Sequence, residues 1–145
     1  MIDLPPDPSS TCCWLICESG ERWANAARRF APQLMPPPWV ASIVSARHPA
    51  RGSAISAHRV SAESRSVLLW EIDPVDFSNA CDSLASIAIE YPNTLRLAAA
   101  SGLSNHRRMM ISELAVAATI ANPEDLPSLT GMLHAYFAMP GHLID

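Results

Sequence analysis

Ser66-Val67-Leu68-Leu69-Trp70-Glu71-Ile72, followed by Asp73-Pro74, is the stretch whose reading decides the fold. Val67 to Trp70 are bulky and apolar in succession, so the segment has no polar face. Such a run suits a strand buried on both sides, as in a parallel sheet. Asp73-Pro74 then turns the chain. Asp76 is placed to cap a helix running to about Tyr91, with Phe77, Ala80 or Cys81, Leu84, Ile87 or Ala88, and Tyr91 on one stripe. The stretch therefore reads as a strand, a short turn and an amphipathic helix.

The same unit recurs on either side. Upstream, Cys12 to Cys17 is a short apolar run ended by Glu18-Ser19-Gly20. Glu21 to Phe30 follows, with Trp23, Ala26, Ala27 and Phe30 at helical spacing and Arg22, Asn25, Arg28 and Arg29 opposite. Pro32 and Pro36-Pro37-Pro38 are expected to stop that helix. Trp39 to Ala46 reads as a second strand, and residues 47–65 hold at best one short helix. Downstream, Thr94 to Ala100 is a fourth strand closed by Ser101-Gly102. Ser104 can cap a helix through Leu114, and Ala115 to Ala121 is a fifth strand. After Asn122-Pro123, Leu126 to Ala138 makes a last helix with Leu129, Met132, Leu133, Tyr136 and Phe137 inward. Strands alternating with helices imply an α/β fold, a doubly wound five-stranded parallel sheet with helices on both faces. Right-handed crossovers place every carboxyl end on one edge, which gathers Glu18, Ser19, Glu71, Asp73, Ser101 and Asn122.

Composition narrows the chemistry. The 145 residues fit one domain, residues 11–138, with a proline-rich arm at 1–10 and a tail at 139–145. Hydrophobic residues are 49% and charged ones 17%, with a mean hydropathy of +0.11, too apolar for a disordered chain. No apolar run approaches the ~20 residues of a membrane span. Met1 to Ser10 lacks the basic and apolar regions of a secretory signal, so the cytoplasm is the expected compartment and no membrane partner is expected. All 10 positive charges are arginine. Without lysine there is no P-loop lysine, no Schiff base and no Ser-Lys pair. A net charge of −4 argues against a nucleic-acid partner. Arg28-Arg29 and Arg107-Arg108 read as solvated helix faces. No G-x-G-x-x-G occurs, and Cys12, Cys13, Cys17 and Cys81 include no C-x-x-C. The cysteines are expected to be buried core residues in a reducing compartment.

The order of elements and the residues at their ends resemble the receiver domain of two-component response regulators, across residues 11 to 138. The corresponding segments are LICESGE, VLLWEIDP, LAAASG and ATIANPEDLPSL. The last carries a proline in the family's place, with Asp125 two residues later. The resemblance implies a flavodoxin-like sheet of strand order 2-1-3-4-5. In receivers the first strand ends in paired acids that hold Mg²⁺. The third ends in the phosphorylated aspartate, the fourth in Ser or Thr, and the fifth in Lys-Pro. Here Glu18 keeps one acid and Ser19 replaces the other. Glu71 stands at the phosphoacceptor, Ser101 at the hydroxyl, and Asn122 replaces the lysine. A phosphoryl group on a carboxylate needs a divalent cation and a second positive charge. Glu18 and Glu71 would hold Mg²⁺ weakly at most, and Asn122 has no charge to offer.

The resemblance thus implies a degenerate, stand-alone pseudo-receiver that works without phosphorylation or a cofactor and acts through protein contact. Glu71 either supplies a permanent negative charge or is a solvated acid at a strand end. In receivers the fourth helix, fifth strand and fifth helix bind partners. That face falls here on Asn105 to Leu114 and Leu126 to Phe137, with Arg107, Arg108, Met109, His134 and Tyr136 as candidate contacts. The same apolar residues also serve to pack those helices on the sheet. The partner is expected to be a separate signalling protein, and a homodimer is compatible with the sequence. Two alternatives stand beside this reading. One is a small enzyme or ligand binder using Glu18, Glu71, Asp73 and Ser101. The other is phosphorylation at Asp73. A Ser–His nucleophile finds no G-x-S-x-G elbow, and His48, His58, His106, His134 and His142 lie mainly in loops, helix or tail.

Overall fold

A computed structural model describes residues 11–46 and 65–138. The strands are β1 (Thr11–Cys17), β2 (Val40–Ala46), β3 (Ser66–Glu71), β4 (Thr94–Ala99) and β5 (Ala118–Ile120). The helices are α1 (Arg22–Leu34), α2 (Phe77–Glu90), α3 (Asn105–Ser112) and α4 (Thr130–Ala138), with 3₁₀ turns at Pro74–Asp76 and Pro123–Leu129. The sheet order is β2-β1-β3-β4-β5. Every pairing is parallel. This is the doubly wound sheet the alternating pattern predicts. The arm at 1–10, the tail at 139–145 and nearly all of the 47–65 stretch lie outside the described residues.

The register fixes where chemistry can sit. Cys17 lies opposite Ala46 on one side and Trp70 on the other, and Glu71 lies opposite Ala99, which faces Ile120. The residues following these positions therefore share the carboxyl edge. Alternation along β1 divides the core in two. Cys12, Trp14 and Ile16 join Trp23, Leu34, Leu133 and Phe137 beneath α1 and α4. Leu15 and Cys17 join Phe77, Leu84, Ile87 and Ile111 beneath α2 and α3. Truncating a fully buried leucine such as Leu34 or Leu84 to alanine would cost about 2–5 kcal/mol.

Three boundaries differ from the sequence reading by three residues or more. α1 runs through Pro32 to Leu34, because Ala31 and Leu34 continue its buried stripe past the one amide that proline removes. β5 keeps only three of the seven residues expected. Ala115 adopts a left-handed φ of 59°, and its carbonyl accepts from Arg96 Nε at 3.2 Å, which turns the chain before it can pair. The last α-helix begins at Thr130, not Leu126. The Ser128 and Thr130 hydroxyls donate to the carbonyls of Asp125 (2.6 Å) and Pro127 (2.7 Å), three residues back, and accompany the tighter winding before it.

Candidate functional site

Where β1, β3 and β4 end side by side, an open cleft of about 330 Å³ is lined by Ser19, Glu71, Asp73 and Ser101 together with Arg22 and Asp76. Four of the six edge residues named from sequence thus meet in one place. Glu18 and Asn122 do not line it.

Glu18 turns the other way. It is 1% exposed. Its Oε1 accepts from the Trp23 amide at 2.9 Å, and its Oε2 accepts from the Ala24 amide at 2.7 Å. These amides belong to the first turn of α1, where no intrahelical acceptor exists, and Glu21 at the cap position makes no side-chain bond. Glu18 therefore caps the helix from further upstream, with its charge at the positive end of the helix dipole. Glu18 and Glu71, the pair at which the sequence allows at most a weak Mg²⁺ site, are engaged with different partners, Glu18 with α1 and Glu71 with Ser19. Both Glu18 oxygens hold backbone amides, and no group of three or more His, Cys, Asp or Glu able to hold a metal exists among the described residues.

Glu71 and Ser19 are brought together. The Ser19 amide and the Ser19 hydroxyl each donate to Glu71 Oε1 at 3.3 Å. The acid at the end of β3 is thereby tied to the turn between β1 and α1. Asp73 caps the following turn, its Oδ1 accepting from the Val75 amide at 3.0 Å. Ser101 is exposed, and Gly102 supplies the φ of +74° that turns the chain away after β4. Asn122 is exposed beyond β5, in a separate groove of about 570 Å³ that it shares with Arg22, Arg29 and Glu124.

Arg22 is the residue that sequence reasoning missed. The argument from absent lysine left the edge without a cation, yet Arg22 lines both the cleft and the neighbouring groove, with its guanidinium 5.9 Å from the Trp23 ring centre. The signal was its position as first residue of α1, since a first helical turn after β1 must lie at the carboxyl edge.

The expected contact residues divide. Arg108 and His134 are exposed, and Met109 is 64% exposed. Arg107 is half-buried instead. Its Nη1 donates to the Pro74 carbonyl at 2.9 Å, and its guanidinium lies over the Phe77 ring at 4.7 Å, bracing α3 against the turn that leaves the cleft. Tyr136 sits at the opposite edge of the sheet. Its hydroxyl donates to the Asn93 carbonyl and accepts from the Ser66 amide at 3.1 Å, latching α4 to the start of β3. Burial pushes its phenol up to about 12. Burial likewise pushes the Cys12 and Cys17 thiols up to about 12, which suits core residues and not nucleophiles.

Neither a family model nor a curated protein matches this sequence. Among solved structures, a CheY-like protein (tadZ) from Pseudomonas aeruginosa superimposes with a TM-score of 0.67 at 13% identity, covering 89% of this chain and 96% of that one. A pilus assembly-related protein from Burkholderia pseudomallei superimposes with a TM-score of 0.60 at 12% identity, covering 94% of this chain and 98% of that one. At such identities the likeness is one of fold. This chain has the CheY-like flavodoxin fold, a five-stranded parallel sheet of order 2-1-3-4-5.

Proposed function

Starting from the CheY-like fold, we propose that this chain is a receiver-like module that signals without phosphorylation, through contact with a protein partner. The observation that carries the reading is the bond pair from Ser19 to Glu71. A phosphorylatable receiver needs a free carboxylate, a metal bound beside it and donors left open for the incoming phosphoryl oxygens. Here the carboxylate at that place is a glutamate, and it already takes the donors of the β1–α1 turn. The neighbouring acid, Glu18, is spent on α1. Asp73, the other conceivable acceptor, has one oxygen on the Val75 amide. A fixed negative charge held by Ser19 would keep the edge in one state. No helix among the described residues is long and apolar enough to cross a membrane. The alternative of a small enzyme finds less support, since such sites are usually deep and partly apolar with convergent free polar groups. The cleft is open, and its three acids, Glu71, Asp73 and Asp76, each already accept a hydrogen bond.

Incubation with a small phosphodonor and Mg²⁺, followed by intact-mass measurement, tests the proposal. The mass should stay unchanged in the wild type and in Asp73→Asn. A stoichiometric phosphoryl adduct that Asp73→Asn abolishes would overturn it.

A further inference from the structure

At the amino ends of β4 and β5, on the edge of the sheet away from the cleft, a small pocket of about 200 Å³ is lined by Asn93, Leu95, Arg96, Ala115, Ala117 and Tyr136. At ~30 Å³ each, the share of a water molecule, it has room for about seven non-hydrogen atoms. Two of its polar groups are left incomplete. Arg96 is half-buried, and its Nε and Nη1 donate only to neutral carbonyls, those of Ala115 (3.2 Å), Tyr91 (3.0 Å) and Thr94 (2.9 Å). Among the described residues Nη2 has no acceptor and no carboxylate pairs with the guanidinium. Burial lowers the Arg96 pKa with no acid to oppose the shift. Asn93 Oδ1 is one of two buried side-chain polar atoms without a hydrogen-bond partner among the described residues. A buried cation without an anion and a buried acceptor without a donor each cost stability. The rest of the wall is largely carbon. The Tyr136 hydroxyl is committed to Ser66 and Asn93, which leaves its ring as a wall beside Leu95, Ala115 and Ala117.

We propose that this pocket binds a short α-hydroxy carboxylic acid, its carboxylate on Arg96 Nη2, its hydroxyl donating to Asn93 Oδ1 and its hydrocarbon end against Leu95 and Ala117. The site is separate from the cleft and does not depend on how the acids there are used. Asn93 is only half-buried, so its side chain can turn that oxygen, now shut from water, toward the ligand. Charge and hydrogen-bond count select the class. One guanidinium in a largely apolar pocket balances a monoanion, and its planar N–H groups suit a carboxylate. A phosphate dianion would bring a second charge and more oxygens than the pocket has donors for. An α-amino acid would set its ammonium beside the guanidinium, where like charges repel. A plain fatty acid would leave Asn93 Oδ1 without a donor.

Titrating α-hydroxybutyrate into the full chain at neutral pH, read by amide proton–nitrogen NMR, tests the site. The amides of Leu95, Arg96 and Ala117 should shift with a dissociation constant on the order of 1 mM, as so small a ligand allows, while those of Ser19 and Glu71 stay in place. Butyrate, which lacks the hydroxyl, and α-hydroxybutyramide, which lacks the charge, should each bind at least about tenfold more weakly. Asn93→Ala removes the acceptor and should bring α-hydroxybutyrate down to the level of butyrate. Ala117→Phe, at an exposed position, should fill the pocket and weaken binding at least about tenfold. The absence of shifts up to about 50 mM, or shifts confined to the cleft, would overturn the proposal. So would an amide that binds as well as the acid, a hydroxyl preference that survives Asn93→Ala, or unchanged binding in Ala117→Phe. The comparison of the three ligands uses the wild type alone, so it decides the matter even where a variant fails to fold.

Discussion

Replacing Glu18 with alanine strands the amides of Trp23 and Ala24, which now donate to its carboxylate at 2.9 and 2.7 Å beneath a residue that is 1% exposed. Each buried donor left without a partner costs about 1–3 kcal/mol, so the pair costs about 2–6 kcal/mol. Water admitted from the adjacent cleft would satisfy part of this, which places the expected loss near 3 kcal/mol. For a chain of this size each kcal/mol lowers the melting temperature by about 2–4 °C, giving a fall of roughly 6–12 °C. Glu18→Gln keeps one accepting oxygen but turns an NH₂ toward the second amide, so it should cost about half as much. Denaturant unfolding followed by tryptophan fluorescence reads the effect directly, since Trp14 and Trp23 are buried in the core that α1 covers. A loss below about 1 kcal/mol in the alanine variant would refute the capping role, because it would mean that neither amide depends on the carboxylate. A metal-ligand role predicts the reverse pattern, with little change in metal-free protein and loss of Mg²⁺-induced stabilisation.

Tyr136→Phe removes a hydroxyl that serves Ser66 and Asn93, and should destabilise by about 1–3 kcal/mol in the same unfolding assay at neutral pH. The phenol is held at about 12 in the folded protein against an ordinary 10.0, so unfolding releases its proton more readily. Its contribution is complete below pH 10 and is lost as pH rises toward 12, and the phenylalanine variant should lack that component of the alkaline decline. Iodoacetamide at pH 8 should leave Cys12 and Cys17 unmodified in the folded chain, because both are fully buried with thiols near 12, and peptide mass mapping should find label first at Cys13 or Cys81. Rapid labelling of Cys12 or Cys17 without denaturant would contradict the core assignment.

The strand–turn–helix order was legible because long apolar runs and helical stripes are dictated by burial within a few residues of each other. The buried positions on α2 follow the stripe read from the sequence, with Phe77, Ala80, Leu84 and Ile87 inward. Boundaries were less legible where a distant partner decides them, as Arg96 does when its guanidinium takes the Ala115 carbonyl and shortens β5. The site divides on the same ground. Ser19, Glu71, Asp73 and Ser101 follow from topology alone, since they end neighbouring strands or lie in the turns beyond them. Glu18 could not be assigned so. Its place in the chain puts it at the edge, but whether a glutamate there faces the cleft or folds back over the following helix is a choice of rotamer. Arg107 is a similar case, exposed by its helical spacing yet drawn inward by Phe77 and the Pro74 carbonyl.

The division of the interior by the sheet has a consequence for how this chain can change over time. β1 is the common wall of two rooms that share few occupants, with Trp14 and Ile16 on one side and Leu15 and Cys17 on the other. Substitutions furnishing one room are screened from the other by a layer of backbone, and their effects should add with little cross-talk. The helices over one face can then be reshaped for a new neighbour while the opposite face keeps its packing. A one-residue insertion within β1 is the exception, since it would swap the tenants of both rooms at once.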